Sequence, residues 1–173
     1  MKQKLSYLMF LCLSFLTFQS TQAQTLSAGD IAFVGYHTDS DDGFTFIALT
    51  DIPAGEVIYF TDKGWNATDA EWYANAEDHI VWTTPGGISM GTVVSIIETS
   101  GDSFTASQGT AVLSGTDSGF SLLGGDSILA YQSSSGAQPA NPTFIAGIYG
   151  DDNYVHTLGC DDAGGWLSCS TCT

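Results

Sequence analysis

FTFIALTDIPAGEVIYFT, residues 44–61, contains two short runs rich in β-branched and aromatic residues, separated by five residues of turn chemistry. FTFIALT (44–50) and EVIYFT (56–61) have the composition of strands, and DIPAG (51–55) supplies the Asp, Pro and Gly that favour a chain reversal. In the second run Val57, Tyr59 and Thr61 share one face, while Ile58 and Phe60 share the other. Both faces are largely apolar. That pattern predicts a central strand covered on each side, hence a layered β structure rather than an isolated hairpin.

The same texture extends in both directions. IAFVGY (31–36), HIVWTT (79–84), TVVSIIE (92–98), FSLL (120–123), SILAYQ (127–132) and TFIAGIY (143–149) all read as strands. TPGG, LGGD and QPANP punctuate them with turn residues. ATDAEWYANAED (67–78) is the best helical candidate, with room for one or two turns. Many short strands without alternating helices predict an all-β fold, an antiparallel immunoglobulin-like β-sandwich. No linker divides it, and no internal repeat is visible.

The first residues predict export. Lys2 and Lys4 precede the apolar run LSYLMFLCLSFLTF (5–18), and small residues at Thr21 and Ala23 mark a cleavage site after Ala23. The run is short for a membrane span, so no membrane insertion is expected. Cys12 follows Leu11, not the small residue that a lipid-anchor site requires. The domain organisation read from this is a signal peptide at 1–23, a β-sandwich at 24–150 and a cysteine-containing tail at 151–173. That tail is expected to open a longer region.

Beyond the signal segment Lys63 is the one basic residue other than histidine, set against 19 acidic residues in the chain. Such a surface repels phosphate backbones and anionic membranes, which argues against nucleic-acid binding. Cations, neutral glycans and extracellular proteins are the partners that remain.

Several motifs could carry chemistry. HTDSDDGF (37–44) gathers Asp39, Asp41 and Asp42 in a loop between two strands. Helix-loop-helix calcium spacing fails, because placing Gly43 at the sixth position puts Leu49 where the closing glutamate belongs. The alternatives are an acidic hairpin turn and a non-helical calcium site with those three aspartates as ligands. GISMG (87–91) matches a nucleophile elbow, but a strand pattern follows it where a helix is required, so Ser89 is not expected to be catalytic. His37, His79 and His156 show no ligand spacing, and His79 reads as a surface or strand-end residue. Paired carboxylates carry little meaning in so acidic a chain, and no catalytic residue emerges.

Trp65 and Trp72 lie in polar stretches, where they could form a sugar-stacking platform or plug an end of the sandwich; Trp82 reads as core. Cys160, Cys169 and Cys172 suit a disulfide in an oxidising compartment, with one cysteine left over. Asn66 opens a glycosylation sequon.

GDIAFVGYHTDSDDGFTFIALTDIPAGEVIYFTDKGW (29–65), GISMGTVVSI (87–96) and FSLLGGDSILAYQ (120–132) together resemble a secreted β-sandwich module of bacterial surface proteins, of Bacteroidetes type. That module is similar in layout to the lamin-tail domain. The resemblance implies an immunoglobulin-like sandwich on the cell surface or outside the cell, and it brings no catalytic residues. The expected function is a non-catalytic interaction or adhesion module, steadied by calcium. A carbohydrate-binding module of an extracellular enzyme, using Trp65 and Trp72, is the alternative.

Overall fold

A computed structural model describes residues 25–38, 41–74, 76–84, 86–116, 119–122 and 126–149. The expected signal peptide, Asp39, the tail at 151–173 and its three cysteines lie outside these residues. Within them the chain is all-β and antiparallel.

The first sheet contains β1 (Ile31–His37), β2 (Gly43–Ala48), β7 (Val93–Ser100) and β8 (Ser103–Ala106), in the order β1-β2-β7-β8. The second contains β3 (Val57–Thr61), β6 (His79–Thr83), β9 (Thr110–Ser114), β10 (Ser127–Gln132) and β11 (Thr143–Tyr149), in the order β11-β10-β3-β6-β9. A two-residue ribbon, β4 (Trp65–Asn66) with β5 (Glu71–Trp72), stands apart. Residues 44–61 therefore form no hairpin. DIPAG carries the chain from one sheet to the other, with Gly55 at φ +79° donating its N–H to the Thr84 carbonyl.

The two sheets bury a shared apolar layer. Phe44, Phe46, Val94 and Ile96 of the first meet Ile58, Phe60, Ile80, Trp82, Ile128 and Ala130 of the second. Phe46 stands edge-on to Trp82 at 5.1 Å, and Phe44 lies 4.7 Å from Phe60, within the range of favourable aromatic pairs. β3 is central, as its two apolar faces require: Ile58 and Phe60 point into this layer and Thr61 is buried on the opposite side.

One end of the sandwich is closed by the Ile52–Ile88 bridge and by a buried polar set. There Gln132 donates to Glu56 and accepts from the Leu26 N–H. The other end is closed by residues 119–122, whose Phe120 and Leu122 enter the core.

Three local expectations change. The described residues of 67–78 form no helix: Asn66 Oδ1 accepts the Thr68 and Asp69 N–H groups, and Ala70 at φ 54° ends the turn after one cycle. Phe120–Leu122 is not a strand, although its apolar residues alternate. Two strands, β8 and β9, lie in serine- and threonine-rich sequence where none was expected.

Candidate functional site

The acidic end is built by residues that are distant in sequence. The β1–β2 hairpin delivers Asp41 and Asp42, the exit of β3 delivers Asp62, the approach to β6 delivers Asp78, and the approach to β10 delivers Asp126. Between them runs the strap 119–122, whose backbone N–H groups have no strand to pair with. Carboxylates receive them instead: Asp78 takes Gly119 at 3.3 Å, Asp62 takes Ser121 at 3.2 Å, and Asp42 takes Leu122 at 2.7 Å. With Phe120 and Leu122 inserted beneath, the strap seals the core.

Asp62 is the unusual member. It is 9 % exposed; its Oδ2 holds Ser121, while its Oδ1 is buried without a hydrogen-bond partner. Burial pushes its carboxyl up to about 8; the charges of Glu77 and Asp126 add to the rise and the Ser121 N–H opposes it. Asp42 is also raised, first by burial, against the opposing Leu122 hydrogen bond. Tyr36 sits among these groups, its hydroxyl donating to the Asp126 carbonyl at 3.4 Å. Burial raises the Tyr36 phenol to about 12, and the charges of Asp126, Asp42 and Asp62 contribute in that order.

The HTDSDDGF loop therefore divides its described aspartates. Asp42 turns to the strap, whereas Asp41 is exposed on the other side, its carbonyl accepting from His37 Nδ1 at 2.7 Å. A carbonyl can only accept, so Nδ1 carries the proton in this contact. Among the described residues no group of three His, Cys, Asp or Glu side chains has metal-binding placement, so Asp41 and Asp42 do not form part of a ready-made cage.

A groove of about 340 Å³ opens on the outer face of the first sheet, with Gly35, Gly43 and Thr45 along it and His37, Asp41 and Ile97 among the residues that line it. This face runs in cross-strand rows: Ala32, Ile47 and Val93; then Gly35, Thr45 and Ser95; then His37, Gly43, Ile97 and Thr105. Thr45 and Ser95 share a hydroxyl hydrogen bond of 3.0 Å. Val34, Val93 and Ile97 are all about half exposed or more. No acid and no lysine stands in these rows.

The outer face of the second sheet is covered over β10 and β11, while Val112 on β9 stays exposed. Trp65, 8 % exposed, packs with Leu129, and its ring meets Trp72 at 5.0 Å and 76° and Phe144 at 5.3 Å. Trp72 Nε1 donates to the Pro139 carbonyl at 2.8 Å. Trp65 and Trp72 are therefore a plug rather than a coplanar exposed platform, because their edge-to-face packing over the sheet buries the ring surface a sugar would use.

Beneath the plug lies His79, which is buried, not a surface residue. Its Nδ1 is 2.7 Å from the Tyr131 hydroxyl, which also accepts the Gln138 N–H at 3.0 Å. Burial lowers the His79 imidazole to about 4, with the Lys63 charge pressing the same way and Asp78 opposing. The neutral ring accepts from Tyr131 at Nδ1, which leaves a buried Nε2–H without a partner.

Ser89, the serine of the G-x-S-x-G match, is exposed in the turn before β7, where its carbonyl accepts the Thr92 N–H. Asp62, Asp126 and Tyr131 were not singled out by sequence reasoning. Their one signal was position, at strand ends in IYFTDKGW and GGDSILAYQ. No family model, curated protein or solved structure matches this chain.

Proposed function

We propose that this chain is a non-catalytic, extracellular interaction module whose contact surface is the outer face of the four-stranded sheet. The observation that carries the reading is the absence of acids from the rows of that face in a chain with 19 of them. Such a face accepts an uncharged partner with few carboxylates to desolvate, Asp41 being the acid that lines its groove, and the acidic remainder turns away polyanions. The occupant it fits is a neutral glycan chain. The Thr45, Ser95 and Thr105 hydroxyls match sugar hydroxyls, exposed Val93 and Ile97 match the C–H faces of the rings, and the groove between His37 and Ile97 gives one ring a seat.

This reading keeps carbohydrate binding but moves it from Trp65 and Trp72 to the opposite side of the sandwich. The signal-like N-terminus supports export, and the two packed antiparallel sheets support an immunoglobulin-like, lamin-tail-like layout on a bacterial surface. The test is retention on a panel of insoluble neutral polysaccharides, comparing Ile97→Asp with Val112→Asp. Both positions are exposed strand residues, one on each sheet, at 46 % and 61 %. Retention lost in the first and kept in the second supports the reading. Retention of neither the wild type nor the variants on any neutral polymer overturns it.

A further inference from the structure

We propose that β9 is a docking edge and that its occupant is β9 of a second copy of this chain, laid antiparallel so that Val112 faces Val112 across a twofold axis. The proposal does not depend on the glycan reading.

The backbone pattern comes first. In an antiparallel ladder a residue turns its N–H and its carbonyl to the same neighbour, and successive residues alternate sides. The Thr84 N–H donates to the Glu56 carbonyl, so Thr84, Trp82 and Ile80 turn towards β3. Thr83, Val81 and His79 then turn towards β9, where they meet Thr110, Val112 and Ser114. Ala111 and Leu113 remain, with backbone groups that point away from the sheet. β9 is the last strand of its sheet, and nothing among the described residues is hydrogen-bonded to that side. Exposed edges are ordinarily blunted by charge, proline, a bulge or a cover. The other three outermost strands each carry such a device. β1 has a register break between Phe33 and Gly35, and β8 is four residues long beside a break in β7 between Glu98 and Ser100. β11 gives its Ile145 carbonyl to the Gly29 N–H. By contrast, the register of β9 with β6 is unbroken, and residues 103–116 hold neither a charged residue nor a proline.

The sequence of the strand, TAVLS, selects the occupant. Reversing it about its centre sets Ala111 beside Leu113 of the second copy, and every outward group then pairs. Each strand offers two N–H groups and two carbonyls, so the pair makes four backbone hydrogen bonds. Thr110 meets Ser114, hydroxyl against hydroxyl, and the two valines meet at the centre. Val112, 61 % exposed, ends an outer-face row that runs Tyr59, Val81, Val112, so pairing carries this apolar row from one copy into the next. Charge points the same way. Copies of a chain with a net charge of −16 repel one another where their acids meet, and this uncharged edge lets them touch without bringing carboxylates together. Two five-residue strands bury less than a permanent interface does, so the pair forms and dissociates with concentration.

The full chain, kept reduced so that no disulfide-linked pair is counted, is sedimented over a concentration series up to about 1 mM, at low and at high salt. The expected mass rises from one copy towards two, and the association tightens with salt as the like charges are screened. Val112→Asp and Val112→Lys each set like charges against one another on the twofold axis and should weaken pairing at least tenfold. Their equimolar mixture should pair at least as tightly as the wild type, a recovery that separates a lost contact from a lost fold. Ala111→Pro removes one outward N–H from each copy, leaves the ladder with β6 intact and should also weaken the pair. Hydrogen exchange gives the location: the Ala111 and Leu113 amides should slow as concentration rises, while the Val112 amide, already held by β6, stays unchanged. A single-copy mass throughout the series would overturn the proposal, as would pairing that survives in both charged variants or a mixture of them that stays monomeric. Slowing confined to amides outside β9 would place the contact elsewhere and overturn it equally.

Discussion

The two outer faces of this sandwich are made from similar strands, yet one is roofed along β10 and β11 while the other carries no roof. On the five-stranded sheet, Tyr59, Tyr131, Leu129 and His79 face outward and are roofed by the β4–β5 ribbon with Trp65, Trp72 and Phe144. On the four-stranded sheet the outward positions are Ala, Gly, Ser, Thr, single aliphatic residues and His37, and no described ribbon crosses them. Large aromatics need burial, and a short ribbon supplies it; small hydroxyl residues can remain in water. Side-chain size therefore decides which face is structural and which is free to touch something else.

Truncating the roof is the strongest way to break that contrast. Trp65→Ala removes a ring buried against Leu129, Trp72 and Phe144 and should cost about 3–5 kcal/mol, measured by urea unfolding. Ile97→Ala on the open face should cost well under half of that. Comparable losses at the two sites would mean that the open face is covered as well.

The roof also has a signature in pH. The folded His79 value of about 4 lies below the ordinary 6.5, so the unfolded chain binds the proton first as pH falls. Stability linked to His79 is complete above pH 6.5, declines through the window from 6.5 to 4, and is fully lost below it. The loss should be roughly 3 kcal/mol. His79→Gln should flatten the curve in that window relative to wild type, with the carboxylate background common to both proteins. A wild-type slope unchanged by the substitution would show that the imidazole is already charged beneath the roof.

Strand texture was legible because alternation and β-branching act locally: β3, β6, β10 and β11 fall within runs that could be read directly, and β1, β2 and β7 overrun theirs by only one or two residues. Phe120 and Leu122 show where this reading stops. Their alternation is that of a strand, yet three carboxylates, not a neighbouring strand, take the backbone N–H groups of the strap. Nothing local reveals that substitution. Asp62 was hidden for the same reason, since in so acidic a chain one more aspartate after a strand carries no mark until the fold places it beside Asp126 and Tyr36. The tryptophans were ambiguous between plug and platform because both uses need large rings at strand ends; the Trp72–Pro139 hydrogen bond and the packing on Leu129 separate them. β8 and β9 escaped notice because an exposed strand next to a hydroxyl-rich loop has the composition of that loop.

The smallest expected effect bears most directly on the open face. Thr45→Val removes one hydroxyl from the Thr45–Ser95 pair while keeping the β-branched shape. That pair lies on a half-exposed surface where water can replace the lost partner, so stability should change by less than about 0.5 kcal/mol. If the face is a glycan-contact surface, the same change should weaken polysaccharide retention, because a hydroxyl row that meets sugar loses a donor and an acceptor in its middle. If retention is unchanged while Ile97→Asp abolishes it, the contact is made by the aliphatic row and the groove, and the hydroxyls serve only to keep that face wettable. A stability loss above about 1 kcal/mol would instead show that the Thr45–Ser95 pair is shielded from water, and the face would then no longer count as open.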